Sequence, residues 1–340
     1  MYEQKWGFIA SSKALSRLSE WPRIKLANLP TPIRPLARLG KALGCPALDL
    51  LVKLDSETGF GLGGNKVRKL EFELAPDRLE DITCLITAGG PQSNHCRVTA
   101  AAAARLGLRC ALIINGPEPE TPRGNALLHR LLGAEIITVP ERQDRSTQLQ
   151  STAADIELEG GHPLVIPIGA STGLGSLGYA TASVELFKQL SNQKPSPERT
   201  VVFVASSSCG TLAGLLLGIS LLELNNVLLV GVSADMSSAE IEDHTQQIAR
   251  EGADLLGWDG ALLTDSVKAI DDQVGDGYGL STASSDEALR MFAQHEGLVL
   301  DPTYTAKAAA GLISWIRAGM VCDLDRVVFL HTGGHPGLLT

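Results

Sequence analysis

The sequence predicts an α/β protein with mostly parallel sheets, and two patterns support this. Short runs of β-branched and other apolar residues alternate along the chain with stretches rich in Ala and Leu, as in repeated strand-helix-strand units. The apolar runs are nearly continuous, which is typical of strands buried on both faces. At 340 residues the chain exceeds the size at which one hydrophobic core stops growing, so two domains are expected.

The elements can be placed in chain order from these patterns. Strands are predicted at 48–54, 82–88, 109–115, 134–140, 163–169, 200–206, 226–234 and 326–334. The clearest helices lie at 93–107, 209–224 and 304–319, where Ala and Leu, both strong helix formers, dominate. Each of these helices follows a strand or precedes one, so the sheets are expected to be parallel.

The composition favours a protein whose partner is a small molecule. Hydrophobic residues make up 44% of the chain and charged residues 20%, and the formal net charge is -9. An acidic balance without long basic runs argues against binding to nucleic acid or to an anionic membrane surface. No apolar run approaches the roughly 18 residues that span a bilayer, and the N-terminus lacks the pattern of a secretory signal, so a cytoplasmic location is expected.

The cysteines do not indicate a metal or disulfide framework. Six are scattered through the chain without a CxxC pair, so most are expected to be reduced. Zinc binding through His95, Cys96, His331 and His335 is a weaker alternative, because their spacing is not that of usual zinc ligands. No metal site is therefore predicted.

Four loops that follow predicted strands carry unusual residues, and in open α/β sheets ligands bind at such loops. In GGNKVRKLE (63–71), Lys66 and Lys69 lie one helical turn apart and share a face. Cations at a helix start more commonly form a solvated face, and that alternative stays open for this stretch.

The other three loops offer polar groups and glycines. TAGGPQSNHCR (87–97) places Ser93, Asn94 and His95 at a helix start, although a simple Ser or Asn cap would explain one of them. ASSSCGTLAG (205–214) forms a Ser/Gly/Thr cup before a helix, the arrangement in which backbone amides and hydroxyls hold phosphate. FLHTGGHPG (329–337) ends a strand with Thr332 and two glycines.

These loops favour a cofactor that carries its own phosphate. Neither the Walker lysine motif nor G-x-G-x-x-G is present, so a nucleotide is not the obvious ligand of the cup. A lysine behind glycines together with a phosphate cup fits a pyridoxal phosphate enzyme, in which the lysine forms a Schiff base with the cofactor.

Six motifs together resemble the family that contains D-cysteine desulfhydrase and 1-aminocyclopropane-1-carboxylate deaminase: GGNKVRKLE, GGPQSNHCR, CGTLAG, GYGLSTASSDEALR, LDPTYTAKAAAGL and LHTGG. The resemblance runs from about Pro30 to the C-terminus. It implies a tryptophan-synthase-β-like fold with two open, twisted, mostly parallel sheets and flanking helices. It also implies pyridoxal 5'-phosphate as cofactor, a homodimer, a large cofactor-binding domain (1–68 and 177–340) and a small inserted domain (69–176).

The resemblance assigns roles residue by residue. Lys66 would be the Schiff-base lysine, and Lys69 would reach the cofactor phosphate. Arg68 receives no role, and packing or a surface pair is expected for it. The further cofactor-binding residues would be Asn94, at the ring hydroxyl, Ser208, Cys209, Gly210, Thr211, Thr305 and Thr332. The substrate would be contacted by Ser93, Asn94, His95 and Tyr304, with Ser93, Tyr278 and Tyr304 as candidates for proton transfer.

Departures from the family pattern favour one reaction within it. Thr305 stands where the deaminases have Glu, and His95 where they usually have Gln, which favours β-elimination over opening a cyclopropane. The predicted reaction is conversion of D-cysteine to pyruvate, ammonia and sulfide; a 1-aminocyclopropane-1-carboxylate deaminase and a cysteate sulfo-lyase are alternatives, and a non-catalytic sensor is the alternative of another class. Cys209 stands where the family usually has Gly, so a positive φ there would be strained.

Overall fold

A computed structural model describes residues 13–191, 193 and 197–340, so the first twelve residues of the expected large domain lie outside the described part. Ten strands form here: β1 (Ile33–Pro35), β2 (Asp49–Lys53), β3 (Cys84–Gly89), β4 (Arg109–Asn115), β5 (Glu135–Val139), β6 (Pro163–Val165), β7 (Arg199–Ser206), β8 (Val227–Ser233), β9 (Val267–Ile270) and β10 (Asp325–Leu330). The α-helices are α1 (Lys13–Glu20), α2 (Ala37–Ala42), α3 (Asn65–Glu73), α4 (Asn94–Leu106), α5 (Gly124–Leu131), α6 (Arg145–Leu158), α7 (Gly173–Leu190), α8 (Gly210–Leu221), α9 (Ser238–Leu255), α10 (Ala283–Glu296) and α11 (Thr305–Arg317).

The strands form two sheets, as the sequence predicts. Six strands in the order β1-β2-β10-β7-β8-β9 form the larger sheet, in which all neighbours are parallel except β1 and β2. Four parallel strands in the order β5-β4-β3-β6 form the smaller sheet. The chain leaves the larger sheet after β2, builds the smaller one and returns at β7. The α/β fold class is therefore confirmed.

The large sheet is buried on both faces, which explains its continuous apolar strands. Val202 and Val328 pair with each other and pack on the side of α7 and α8, while their neighbours Val201 and Val327 pack against α11 on the other side. Every residue of α8 is buried. A Cβ added at Gly214 would lie 2.2 Å from the Ser176 carbonyl oxygen, so this glycine lets the backbones of α7 and α8 touch.

The start of α3 is not a solvated face, so that alternative and the expected surface pair for Arg68 are wrong. Arg68 is 1% exposed and Lys69 is fully buried. Arg68 donates through Nε and Nη2 to both carboxylate oxygens of Asp55, at 2.8 and 2.9 Å, and also to Glu185. The guanidinium fork thus ties α3 to the loop after β2 and to α7.

Candidate active site

A cleft lies between the two sheets, where strands of both end and the following loops face one another. It encloses about 840 Å³, including space open to solvent, a volume suited to a cofactor with a small substrate. Ten of the residues expected at the site line it: Lys66, Ser93, Asn94, His95, Ser208, Cys209, Thr211, Tyr278, Tyr304 and Thr332. Lys69, Gly210 and Thr305 are not among the lining residues.

Lys66 enters the cleft from the first turn of α3. Gly63 and Gly64 precede the helix with φ of +70° and +109°, a backbone path that few other residues adopt. The Lys66 Nζ donates to Asn65 Oδ1 at 3.1 Å. Burial lowers the pKa of Lys66 to about 8 against the opposing attraction of Asp301. A larger neutral fraction of this amine is therefore present near neutral pH than an ordinary lysine has, and the neutral form is the nucleophile that an aldehyde requires.

The cup between β7 and α8 is completed by a second loop, which the sequence analysis did not assign to the cofactor. Ser171 Oγ accepts from Lys69 Nζ at 3.0 Å and from the Gly210 N–H at 3.3 Å, and it donates to Ser208 Oγ at 2.8 Å. A Cβ at Gly169 would lie 2.4 Å from Ser208 Oγ, so the two loops are in contact. Ser171 therefore connects Lys69 to the cup.

Lys69 is a buried lysine that has no ion pair within residues 13–191, 193 and 197–340. Burial first, and then the neighbouring Lys66, hold its pKa well below the usual range. An anion in the cup would supply the missing opposite charge, and the hydroxyls and the N-terminus of α8 are suited to phosphate. These residues fit the phosphate of pyridoxal phosphate.

Cys209 caps α8 with φ 60° and ψ -20°, so the backbone does adopt the left-handed region at this position. Its side chain is 3% exposed, and Sγ lies 3.4 Å from the Ser207 carbonyl oxygen. This conformation is strained in a residue that has a Cβ.

The N-terminus of α4 supplies a second group of donors. Ser93 is the N-cap and its Oγ accepts from the Cys96 N–H at 3.1 Å, so the cap interpretation holds for this residue. The Asn94 Oδ1 accepts from Asn125 Nδ2 at 2.9 Å, which orients the amide and leaves its NH₂ for a ligand.

His95 presents an unused acceptor. Thr87 Oγ1 donates to the Ile166 carbonyl oxygen at 2.7 Å, so its 2.8 Å contact with His95 Nε2 requires the imidazole to donate from Nε2. Nδ1 is then a buried lone pair without a partner. Burial and the nearby Lys66 and Lys69 hold the pKa of His95 well below its usual range, so the ring stays neutral.

Tyr278 and Tyr304 meet on the opposite wall. Their hydroxyls share a short hydrogen bond, and their ring centroids lie 5.9 Å apart. Burial first, and then Tyr278, raise the pKa of Tyr304 well above the usual range. The Tyr304 hydroxyl is therefore protonated at neutral pH and can act as a donor.

Thr305 lies behind this wall rather than in it. Its Oγ1 donates to Asp301 Oδ1 and accepts from the Asp301 N–H, both at 2.7 Å. Asp301 in turn caps the start of α11 by accepting from the Tyr304 N–H at 2.9 Å. With the hydroxyl engaged in this way, contact between Thr305 and a cofactor ring stays a prediction.

Two arginines in the cleft were not anticipated. Arg142 and Arg145 come from the segment after β5, and both line the cleft beside Tyr278. The position of PERQDRS directly behind a predicted strand is the signal that could have identified them. Asn65, Ser206 and Ser207 also line the cleft and were not predicted to contribute.

Two other properties of the described residues bear on function. No group of three His, Cys, Asp or Glu side chains within them could hold a metal ion. In the same part of the chain, no helix has the length and apolar character that crossing a bilayer requires.

Comparison with known proteins adds the following. The family model described as "Pyridoxal-phosphate dependent enzyme" matches residues 24–333. D-cysteine desulfhydrases of Salmonella typhi and Salmonella newport are 39% identical over 329 residues, covering 95% of this chain and 97% of theirs. The crystal structure of an ACC deaminase homologue superposes with a TM-score of 0.85 at 32% identity, covering 96% of each chain. Threonine deaminase isoform 2 from Solanum lycopersicum, at 15% identity and a TM-score of 0.64 over 95% of this chain and 88% of its own, shares the fold.

Proposed function

This chain belongs to the family of pyridoxal-phosphate-dependent enzymes, and on that premise we propose that it is a lyase that eliminates the β-substituent of a small amino acid. D-cysteine, giving pyruvate, ammonia and sulfide, is the substrate that the named relatives support. The observation that carries the proposal is Lys66, whose pKa is lowered to about 8 in the same cleft as a phosphate cup and a tyrosine pair.

The residues of the cleft would hold the cofactor at two places. The hydroxyls of Ser208 and Thr211, the first N–H groups of α8 and, through Ser171, the Lys69 cation would bind its phosphate. The free NH₂ of Asn94 would donate to its ring hydroxyl. When bound, pyridoxal phosphate supplies an electron sink for the pair left at the substrate Cα.

The N-terminus of α4 would bind the substrate carboxylate. Backbone N–H groups and partial positive charge converge there, and the hydroxyl of Ser93 adds a donor. The neutral His95 offers the acceptor Nδ1 on the same side of the cleft. Together these groups would fix the orientation of the amino acid before any bond breaks.

Proton transfer would involve Lys66 and the tyrosines. The free Lys66 amine would take the proton from Cα. The Cβ–S bond then breaks with both electrons going to sulfur, which receives a proton from the Tyr278–Tyr304 pair. The released 2-aminoacrylate adds water and yields pyruvate and ammonium.

The experiment is release of 2-oxo acid from the cofactor-loaded protein offered D-cysteine, L-cysteine and 1-aminocyclopropane-1-carboxylate. Pyruvate from D-cysteine supports the proposal, and Lys66→Ala should abolish it whereas Lys25→Ala, at an exposed lysine, should not. 2-Oxobutyrate from the cyclopropane would instead make the protein a deaminase. Cofactor binding without product from any amino acid would favour a sensor.

A further inference from the structure

The segment that carries Tyr278 has no regular secondary structure. This Tyr278 segment, residues 271–282, connects β9 to α10, and its middle is GDGYGL (275–280). The three glycines of that stretch have φ between +63° and +143°, values that residues with a side chain rarely adopt. A backbone so rich in glycine has many conformations open to it, so contacts have to fix the place of the tyrosine.

Packing fixes Tyr278 only in part. The residue is 41% exposed, and its ring meets that of Tyr304 edge-on at a centroid distance of 5.9 Å. On another side the guanidinium carbon of Arg142 lies 5.4 Å from the ring centroid, but the Arg142 side chain is itself 59% exposed. Neither contact confines the ring as a hydrophobic core would.

Tyr304, in contrast, is held by its backbone at the start of α11. Its N–H donates to Asp301 Oδ2 at 2.9 Å, and its carbonyl oxygen accepts from the Ala308 N–H at 3.0 Å. The hydroxyls of Tyr304 and Tyr278 meet in a short hydrogen bond. Whether that bond forms therefore depends on where the Tyr278 segment lies.

Lys307 binds the backbone of the Tyr278 segment from the first turn of α11. It is fully buried, and its Nζ donates to the Val274 carbonyl oxygen at 2.8 Å and to the Gly277 carbonyl oxygen at 3.0 Å. Hydrogen bonds from an ammonium group are stronger than those between neutral groups. Because both carbonyls accept from one nitrogen, the backbone from 274 to 277 is folded around the Lys307 amine.

Few other hydrogen bonds hold the middle of the segment. Among the described residues, positions 275–281 form hydrogen bonds to the rest of the chain only at the Gly277 carbonyl, which accepts from Lys307, and at the Tyr278 hydroxyl, which meets Tyr304. The Leu280 N–H bonds within the segment, to the Gly277 carbonyl oxygen. The start of α11 thus holds Tyr278 at two points, through its hydroxyl and through the carbonyl that precedes it.

We propose that Lys307 is a positioning residue for the tyrosine pair: through the Gly277 carbonyl it keeps the Tyr278 hydroxyl in contact with that of Tyr304. The inference rests on the proposed elimination, in which this pair gives a proton to the departing sulfur. Proton transfer needs a donor within about 3 Å of its acceptor, so a displaced Tyr278 would weaken it. Lys307 belongs to the motif LDPTYTAKAAAGL, in which the sequence gave roles only to Tyr304 and Thr305.

The test compares the holoenzymes of wild type, Lys307→Met, Tyr278→Phe and the double variant. Methionine keeps an unbranched stem but has no N–H. We would measure kcat and KM with D-cysteine, whose sulfur takes up a proton, and with β-chloro-D-alanine, whose chloride leaves without one. Hydrogen exchange of the amides in 275–281, followed by mass spectrometry, measures the mobility of the segment without turnover.

Lys53→Met is the matched control. Lys53 is also buried and also donates from Nζ to a backbone carbonyl, that of Thr31 at 2.8 Å, but it lies outside the cleft. Its loss should lower stability. It should leave both the ratio of kcat for the two substrates and the exchange of 275–281 unchanged.

We expect Lys307→Met to lower kcat with D-cysteine by about 10- to 100-fold, up to the lower end of what a positioned acid contributes. The change in KM, and the change in kcat with β-chloro-D-alanine, should be smaller. In the Tyr278→Phe background the same substitution should lower kcat by less than about twofold, because the hydroxyl that Lys307 positions is already absent. Exchange of 275–281 should become faster. If Lys307→Met does not fold, Lys307→Gln, which has shorter-reaching donors, should show the same selective loss.

Two outcomes would overturn the inference while the proposed function stands. One is an equal loss of kcat with both substrates, and the other is a loss in the Tyr278→Phe background as large as in wild type; either would limit Lys307 to general stability. Unchanged exchange of 275–281 would show that Lys307 does not hold the segment, whether or not the enzyme turns over. Absence of 2-oxo acid from wild type with every amino acid would overturn the proposed function, and the catalytic part of this inference with it.

Discussion

Cys209 adopts a backbone conformation that is sterically unfavourable for a residue with a side chain. With φ at 60° it caps α8 in the left-handed region, where a Cβ costs about 1–2 kcal/mol. The residue cannot simply relax, because its neighbours Ser208, Gly210 and Thr211 belong to the proposed phosphate cup. The strain is therefore stored in the wall of the candidate site.

We expect Cys209→Gly to be more stable than Cys209→Ala by about 1 kcal/mol, because glycine adopts this conformation without a steric penalty. Both variants lose the sulfur, so their difference isolates the backbone. Urea unfolding of the proteins measures it. The same pair of residues compared at Ala213, inside α8, should show the opposite order, since glycine weakens a helix interior. Equal stability of the two Cys209 variants would show that the position is not strained.

How well each site residue could be predicted depends on how local its signal is. Lys66 and Ser93 follow strand-loop-helix patterns that are complete within a few residues, and both line the cleft as expected. Ser171 meets Lys69 across about a hundred residues of sequence, so no local pattern marks it. The place of Arg142 and Arg145 in the cleft depends on how the segment after β5 packs, and this only the assembled structure shows.

At the scale of elements, two helix N-termini converge on one cleft. α4 begins behind β3 in the small sheet and α8 begins behind β7 in the large sheet, so each sheet contributes one positive helix end. A cofactor phosphate and a substrate carboxylate are the two anions that such a pair would bind. Ser93 has a double role in this arrangement, as the cap of α4 and as a lining residue.

Ser93→Ala should therefore lower stability and activity by unequal amounts. Loss of the cap should cost about 1 kcal/mol of unfolding free energy, while kcat/KM should fall at least about tenfold because a substrate donor is lost as well. Ser237→Ala is the matched control, because Ser237 caps α9 with the same type of hydrogen bond away from the cleft. It should show the stability loss alone. A Ser93→Ala enzyme with normal kcat/KM would limit Ser93 to a structural role.

Short edge strands are the elements that the sequence did not reveal. All eight predicted strands are present, but β1 with three residues and β9 with four were missed. β1 contains Pro35 and is exposed, so it lacks the continuous apolar run of a central strand. Such strands form because a neighbouring strand presents an unpaired edge, and that information is tertiary.

At the scale of the molecule, the chain crosses between the two sheets through α3 and α7. The expected domain boundaries, near 68 and 177, fall inside these helices and stay a prediction. A Cβ at Gly178 of α7 would lie 2.3 Å from the Arg68 carbonyl oxygen of α3, so the two crossing helices are in backbone contact. The contact is stabilised by an ion cluster in which Arg68 pairs with Asp55 and Glu185.

The charge state of Asp55 should make the stability of the whole molecule depend on pH. Burial alone would raise the pKa of Asp55, but the Arg68 cation and hydrogen bonds from Arg68 and Tyr179 outweigh it and lower the value. A carboxylate with a lowered pKa contributes stability above its unfolded value of about 3.9 and loses that contribution as the pH falls through the folded value. The stability that the Asp55 carboxylate contributes is therefore lost below about pH 4.

Asp55→Asn should cost about 3–5 kcal/mol of unfolding free energy at pH 7, because it leaves a buried guanidinium short of its partner. Glu57→Gln is the matched control, since Glu57 pairs with Arg34 on the surface at 3.0 Å and its loss should cost less than about 1 kcal/mol. Urea titrations at pH 7 and pH 3 measure both. Wild type should lose more stability between these pH values than Asp55→Asn does, because the variant has no carboxylate at position 55 left to protonate. An equal loss in the two proteins would place the acid sensitivity elsewhere and leave the cluster only a packing role.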